Sequence, residues 1–107
     1  MSIAASKIMT LTELASNASG VRDMIDEATA LNPSDCDRMP IVGEDDEVLD
    51  GFHRTAGMLL WARENEIDSG KVQLRIVVLL DDTLIDDVCE HGMEDESILA
   101  RIYDAIQ

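Results

Sequence analysis

Apolar residues recur along this chain at spacings that alternate between helical and extended. Thr10-Leu11-Thr12-Glu13 has the spacing of a capping box, so a short helix is expected after Thr10, weakening at Asn17-Ala18-Ser19-Gly20. Val21, Met24, Ile25, Ala28 and Leu31 follow helical spacing and predict a helix over 21–31. Asn32-Pro33-Ser34 closes it, because Pro33 cannot continue a helix and disfavours a helical residue before it. Met39–Val42 and Glu47–Leu49 predict two short strands around the acidic turn Gly43–Asp46, with Pro40 at a strand start or edge. A helix is expected from Arg54 to Glu66, broken at Asp68-Ser69-Gly70. Lys71 to Ile76 alternates and Val77 to Leu80 is apolar throughout, the pattern of a strand that enters a sheet half-exposed and becomes buried. Asp81-Asp82-Thr83 caps a short helix through Leu84, Ile85, Val88 and Cys89, with His91 in its last turn and Gly92 at a C′ position. Ile98, Leu99, Ile102, Tyr103 and Ile106 mark a terminal amphipathic helix. Neither a repeat nor a linker interrupts the series. The expectation is a single α+β domain over residues 1–107, a small mixed β-sheet with packed helices.

Composition narrows what such a domain can do. The 107 residues are 46% hydrophobic, enough for a packed core, and the aromatics are Phe52, Trp61 and Tyr103 alone. Twenty-three acids against eight Lys plus Arg leave a formal charge of −15. Nucleic-acid affinity rests on phosphate neutralisation by basic groups, and single-strand binding adds aromatic platforms in a basic groove. With its basic residues scattered singly, the chain is not expected to bind nucleic acid directly. Cys36 and Cys89 form no C-x-x-C pair and share no metal-ligand spacing with His53 or His91. Two reduced thiols, no long apolar leader segment and no apolar run of membrane-spanning length together predict a cytoplasmic protein that does not enter a membrane.

One segment carries chemistry. Asp50-Gly51-Phe52-His53-Arg54 falls between a predicted strand and a predicted helix. Gly51 permits a sharp turn and close approach of a ligand to backbone. The N–H groups after it sit at a helix N-terminus, where free donors and the dipole favour an anion. Arg54 adds a charged fork suited to phosphate. His53 can donate a hydrogen bond or carry a proton near neutral pH. Asp50 can orient Arg54, hold Mg²⁺ through water or accept a proton from a hydroxyl. Asp50 and His53 are therefore the catalytic candidates, and Gly51, His53, Arg54 and Thr55 the binding candidates. A plain strand–Asp–Gly–helix junction, with Asp as cap and Gly as turn, accounts for the same residues without any ligand.

Pro40-Ile41-Val42-Gly43, the acidic turn, and Val48-Leu49-Asp50-Gly51-Phe52-His53-Arg54-Thr55-Ala56-Gly57 together resemble the core of the ParB/sulfiredoxin-like superfamily, whose pattern is close to "P-I-V … V-L-D-G-H-H-R … A". The likeness extends from Val21 to Asp82, with the acidic helices of 83–107 outside it. It implies a ParB/sulfiredoxin-like fold in which Gly51, His53 and Arg54 contact nucleotide phosphates, with Mg²⁺ accompanying the nucleotide. Phe52 stands where sulfiredoxins have cysteine, which removes that chemistry. Phe52 and His53 replace the Glu-Arg of chromosome-partitioning members, which bears against CTP hydrolysis, and the helix-turn-helix domain of those members has no counterpart here. The Asp-Gly-x-His-Arg form is closer to small kinases and to plasmid and phage relatives. The implied function is nucleotide or phosphate binding, as a Mg-dependent phosphotransferase or nucleotidase or as a ligand sensor.

A different reading starts from the nine acids between Asp81 and Gln107, set against Arg101 alone. Such a face is ordinarily a solvated surface; it also suits a saline environment, or a non-catalytic, DNA-mimic-like protein that binds a basic partner. Trp61 reads as core or interface rather than a ligand platform. Six methionines and an apolar terminal helix leave room for a homodimer.

Overall fold

A computed structural model describes residues 3–36, 38–91 and 96–106. Its regular elements are β1 (Ala4–Thr10), α1 (Leu11–Ser16), β2 (Ile41–Val42), β3 (Val48–Asp50), α2 (Phe52–Glu64), β4 (Gln73–Leu79), α3 (Asp82–His91) and α4 (Glu96–Ile106). The strands form one mixed sheet in the order β1-β4-β2-β3. β4 runs antiparallel to β1 and parallel to β2, and β2 and β3 make the expected hairpin around Gly43–Asp46. The fold is α+β, as the periodicities imply.

Strand alternation divides the core in two. Val42, Val48, Leu74 and Ile76 point to one face, where they meet Leu11 and Leu14 of α1 and Ala56, Met58, Leu59 and Ala62 of α2. Ile41, Val77 and Leu79 point to the other, against Leu84 and Val88 of α3 and Ile98 and Ile102 of α4. α4 thus packs its apolar side within the chain, with Ile102 fully buried. β4 enters with Gln73 and Arg75 exposed and ends among buried residues, the gradient its sequence predicts.

Local chemistry explains most boundaries. Thr10 and Glu13 close the capping box of α1 in both directions. Asp81 Oδ1 accepts from the backbone N–H of Thr83 and Leu84 at the start of α3. The expected stop of α3 at Gly92 lies outside the described residues. Among the described residues no helix is long and apolar enough to cross a membrane.

Two expectations need correction. The helix over 21–31 is a 3₁₀ helix over Val21–Glu27, and Ala28 is extended. Gly20 enters it in the left-handed conformation, no side chain caps it, and Ala28 N–H bonds back only to Ile25. Residues 28–31 leave the helix because Leu31 N–H donates instead to the Gly57 carbonyl of α2 at 3.0 Å. β1, by contrast, is an unexpected strand. It pairs with β4 along its whole length, although its burial does not alternate and Ile8 is 59% exposed.

Candidate functional site

The carboxyl end of β3 turns into α2 at Gly51, which adopts φ 101° and ψ 20°. That region costs a residue bearing a side chain roughly 1–2 kcal/mol. A Cβ on Gly51 would also stand 3.2 Å from Pro40 Cα and 3.3 Å from Pro40 Cβ. Glycine is needed here for both reasons. No side chain caps α2, so the N–H groups of Phe52, His53 and Arg54 have no acceptor within the helix. The first intrahelical bond runs from Thr55 N–H to the Gly51 carbonyl at 2.8 Å.

Thr55 is placed differently from its expected role as a ligand contact. Its side chain is fully buried, and its hydroxyl donates to the same Gly51 carbonyl at 2.7 Å. Both donors of Thr55 thereby fasten the turn from inside, leaving neither for a ligand.

The structure brings the other candidates together at the surface. Arg54 Nη1 lies 3.6 Å from Asp50 Oδ2, with the two side chains 27% and 28% exposed. The separation is too long for a hydrogen bond and the pair is open to water, so it contributes little to stability. It places the Asp50 carboxylate beside the Arg54 guanidinium. His53 is exposed beside it. Asp50, Gly51, Phe52, His53 and Arg54 enclose a recess of about 270 Å³. A second recess of about 370 Å³ shares His53 and Arg54 and is walled by Glu27 and residues 28–31.

The second wall depends on Gly57, to which the motif alone assigns no task. A Cβ on Gly57 would stand 2.5 Å from the Thr29 carbonyl oxygen, a separation that backbone cannot accommodate without moving. Its own carbonyl seats Leu31 N–H. The visible signal was a glycine inside a helix, where its intrinsic cost calls for a packing reason.

Electrostatically the site is mixed. Free helix N–H groups, the positive end of the dipole and Arg54 favour an anion, whereas Asp50 and Glu27 oppose it. An incoming phosphate must take Arg54 from Asp50. Mg²⁺ needs near-octahedral oxygen ligation. Asp50 offers one carboxylate that already faces Arg54, and among the described residues no group of three or more His, Cys, Asp or Glu side chains is arranged around a common point.

Comparison of the chain with protein-family models, with curated proteins and with solved structures found no match.

Proposed function

We propose that this domain binds a phosphorylated small molecule, a nucleotide in the first instance, at the Gly51–Arg54 turn, and that it belongs to the ParB/sulfiredoxin-like group its motif resembles. The observation that carries this reading is an uncapped N-terminus of a 13-residue helix, opened by a left-handed glycine and faced by Arg54. Three backbone donors and one guanidinium converge on a recess the size of a phosphate group and its immediate attachments. Asp50 and His53 flank the anion position, Asp50 as the carboxylate from which the anion takes Arg54 and His53 as a donor or proton carrier at the mouth. The proposal is binding, with Mg²⁺ entering on the nucleotide's phosphates rather than on a protein site.

The test is thermal unfolding with ATP, ADP, CTP and inorganic phosphate, each with and without Mg²⁺, on the wild type and Arg54→Ala. A ligand at ten times its Kd stabilises the fold by about 1.4 kcal/mol, a readily measured shift in Tm. The shift is expected in the wild type and lost in Arg54→Ala. Absence of a shift with every ligand, or an equal shift in the variant, overturns the proposal.

The acidic exterior of the C-terminal helices supports a second reading. Asp82, Asp86 and Asp104 are exposed on the outer sides of α3 and α4, opposite the buried Leu84, Val88 and Ile102. A basic protein partner would meet a predominantly negative surface there, with Arg101 as its exposed exception. Salt-sensitive capture of a purified basic domain, abolished by Asp82→Asn with Asp86→Asn, is the corresponding expectation.

A further inference from the structure

The two edges of the sheet are built differently. At one, β3 is three residues long, its Val48 N–H donates to the Asn17 carbonyl at 3.1 Å, and Glu47 and Asp50 stand at its ends. At the other, β1 runs for seven residues without a proline. Its register with β4 decides which backbone groups it leaves open. Leu80 N–H donates to the Ile3 carbonyl and Leu11 N–H to the Val72 carbonyl, so the odd-numbered residues of β1 turn their backbone groups toward β4. The even-numbered residues turn theirs outward. Ser6 and Ile8, at the middle of the strand, are both exposed, and among the described residues nothing bonds to their backbone N–H and C=O groups.

An open edge of this kind is a template for another strand, and proteins commonly guard it with lysine, proline or extreme shortness. β1 carries one charge, Lys7, and its ammonium group is held by Asp46 of the β2–β3 turn, drawn across the sheet and away from the edge. Ile8 is 59% exposed, the most exposed large apolar side chain among the described residues. Its neighbour on β4 is Arg75, also exposed. The strand itself has no acid, since none of the chain's 23 precedes Glu13. A second copy approaching strand to strand therefore meets no carboxylate on the strand it pairs with.

We infer that β1 is an interface between two copies of this chain, which pair antiparallel along their β1 edges about a two-fold axis at Ile8, each sheet continuing into the other. An antiparallel strand is complementary to its own copy, group for group. The axis at Ile8 sets Ile8 of one copy against Ile8 of the other, Ser6 against Thr10 and Lys7 against Met9. An axis at Lys7 would set two ammonium groups directly opposite each other. The chosen register also covers the exposed Ile8 with its own counterpart.

The test is sedimentation equilibrium of the full chain in about 0.5 M NaCl, where repulsion between two −15 molecules is screened. A dimer with Kd below about 0.1 mM is expected. Ile8→Pro removes one outward N–H and no bond to β4, a position at which edge strands accept proline. It should weaken association at least about tenfold while far-UV circular dichroism keeps its wild-type form. Ile8→Lys, which keeps the backbone intact and adds a guarding charge, should do the same. Amide hydrogen exchange reads the edge without any variant: Ser6 and Ile8 N–H should be slow in concentrated protein and fast on dilution, with Lys7 slow in both. The inference is overturned by a wild type that stays monomeric at about 1 mM, by folded Ile8 variants that dimerise as the wild type does, or by Ser6 and Ile8 amides whose exchange ignores concentration.

Discussion

Helix α2 borders two recesses, and it serves them with different parts of itself. At its N-terminus it offers backbone: three unpaired N–H groups aligned by a left-handed glycine, with Arg54 beside them and Asp50 and Glu27 close by. Further along it offers side chains, Met58 and Trp61, to a hollow that Leu74 and Arg75 of β4 also line. The first recess is suited to a compact, strongly charged anion that can outcompete Asp50 for Arg54. Pro40 connects the two regions, since it packs against Gly51 on one side and lines the cavity on the other.

The sharpest way to separate the regions is Gly57→Ala. Its Cβ would fall 2.5 Å from the Thr29 carbonyl, so the 28–31 segment must move. A loss of about 3 kcal/mol is expected, at the upper end for overpacking, measured as a lower urea midpoint at unchanged slope. Phosphate binding at the turn should weaken with it, because the 28–31 segment walls the recess beside His53 and Arg54. Gly51→Ala is expected to cost about 2 kcal/mol through its positive φ and the contact with Pro40. This variant reaches beyond the turn, because displaced Pro40 also lines the hollow beside Trp61, and phosphate binding should weaken. Thr55→Val removes the buried hydroxyl donor while Gly51 keeps its backbone partner. It should lower stability by about 1 kcal/mol with only the turn affected. Asp50→Asn is the mildest in stability, below about 0.5 kcal/mol, since the pair it removes is long and solvated. It should nevertheless tighten phosphate binding about fivefold by freeing Arg54; unchanged or weaker binding would mean that Asp50 positions Arg54 for the ligand rather than competing with it.

The parts of the molecule that the sequence displays are those governed by neighbours along the chain. The capping box at Thr10 and Glu13, the β2–β3 hairpin, the buried end of β4 and the Gly51 turn all follow from local periodicity and turn chemistry. β1 escaped because Ala4-Ala5-Ser6-Lys7-Ile8 neither alternates nor carries enough β-branched residues; its pairing with β4 is decided by the partner strand. The helix expected over 21–31 was cut short by a tertiary hydrogen bond, Leu31 to Gly57, that no spacing rule reveals. Thr55 has the residue type of a ligand contact, but its position in the first turn of α2 aims it at the Gly51 carbonyl. The cavity beside Trp61 was invisible for a more general reason. Its described lining comes from residues 32–34, 36, 38–40, 58, 61 and 72–75, stretches far apart in the chain that meet where β2 first pairs with β4 at Val77.

The central claim is that the turn after β3 holds phosphate through backbone. It is tested most directly by titrating ¹⁵N-labelled protein with inorganic phosphate and following individual amides. The account predicts saturable shifts concentrated at the N–H groups of Phe52, His53 and Arg54, with Thr55 little changed because its N–H already bonds the Gly51 carbonyl. Shifts spread evenly over the surface, or centred on the cavity around Trp61 with Phe52 to Arg54 unmoved, would contradict it.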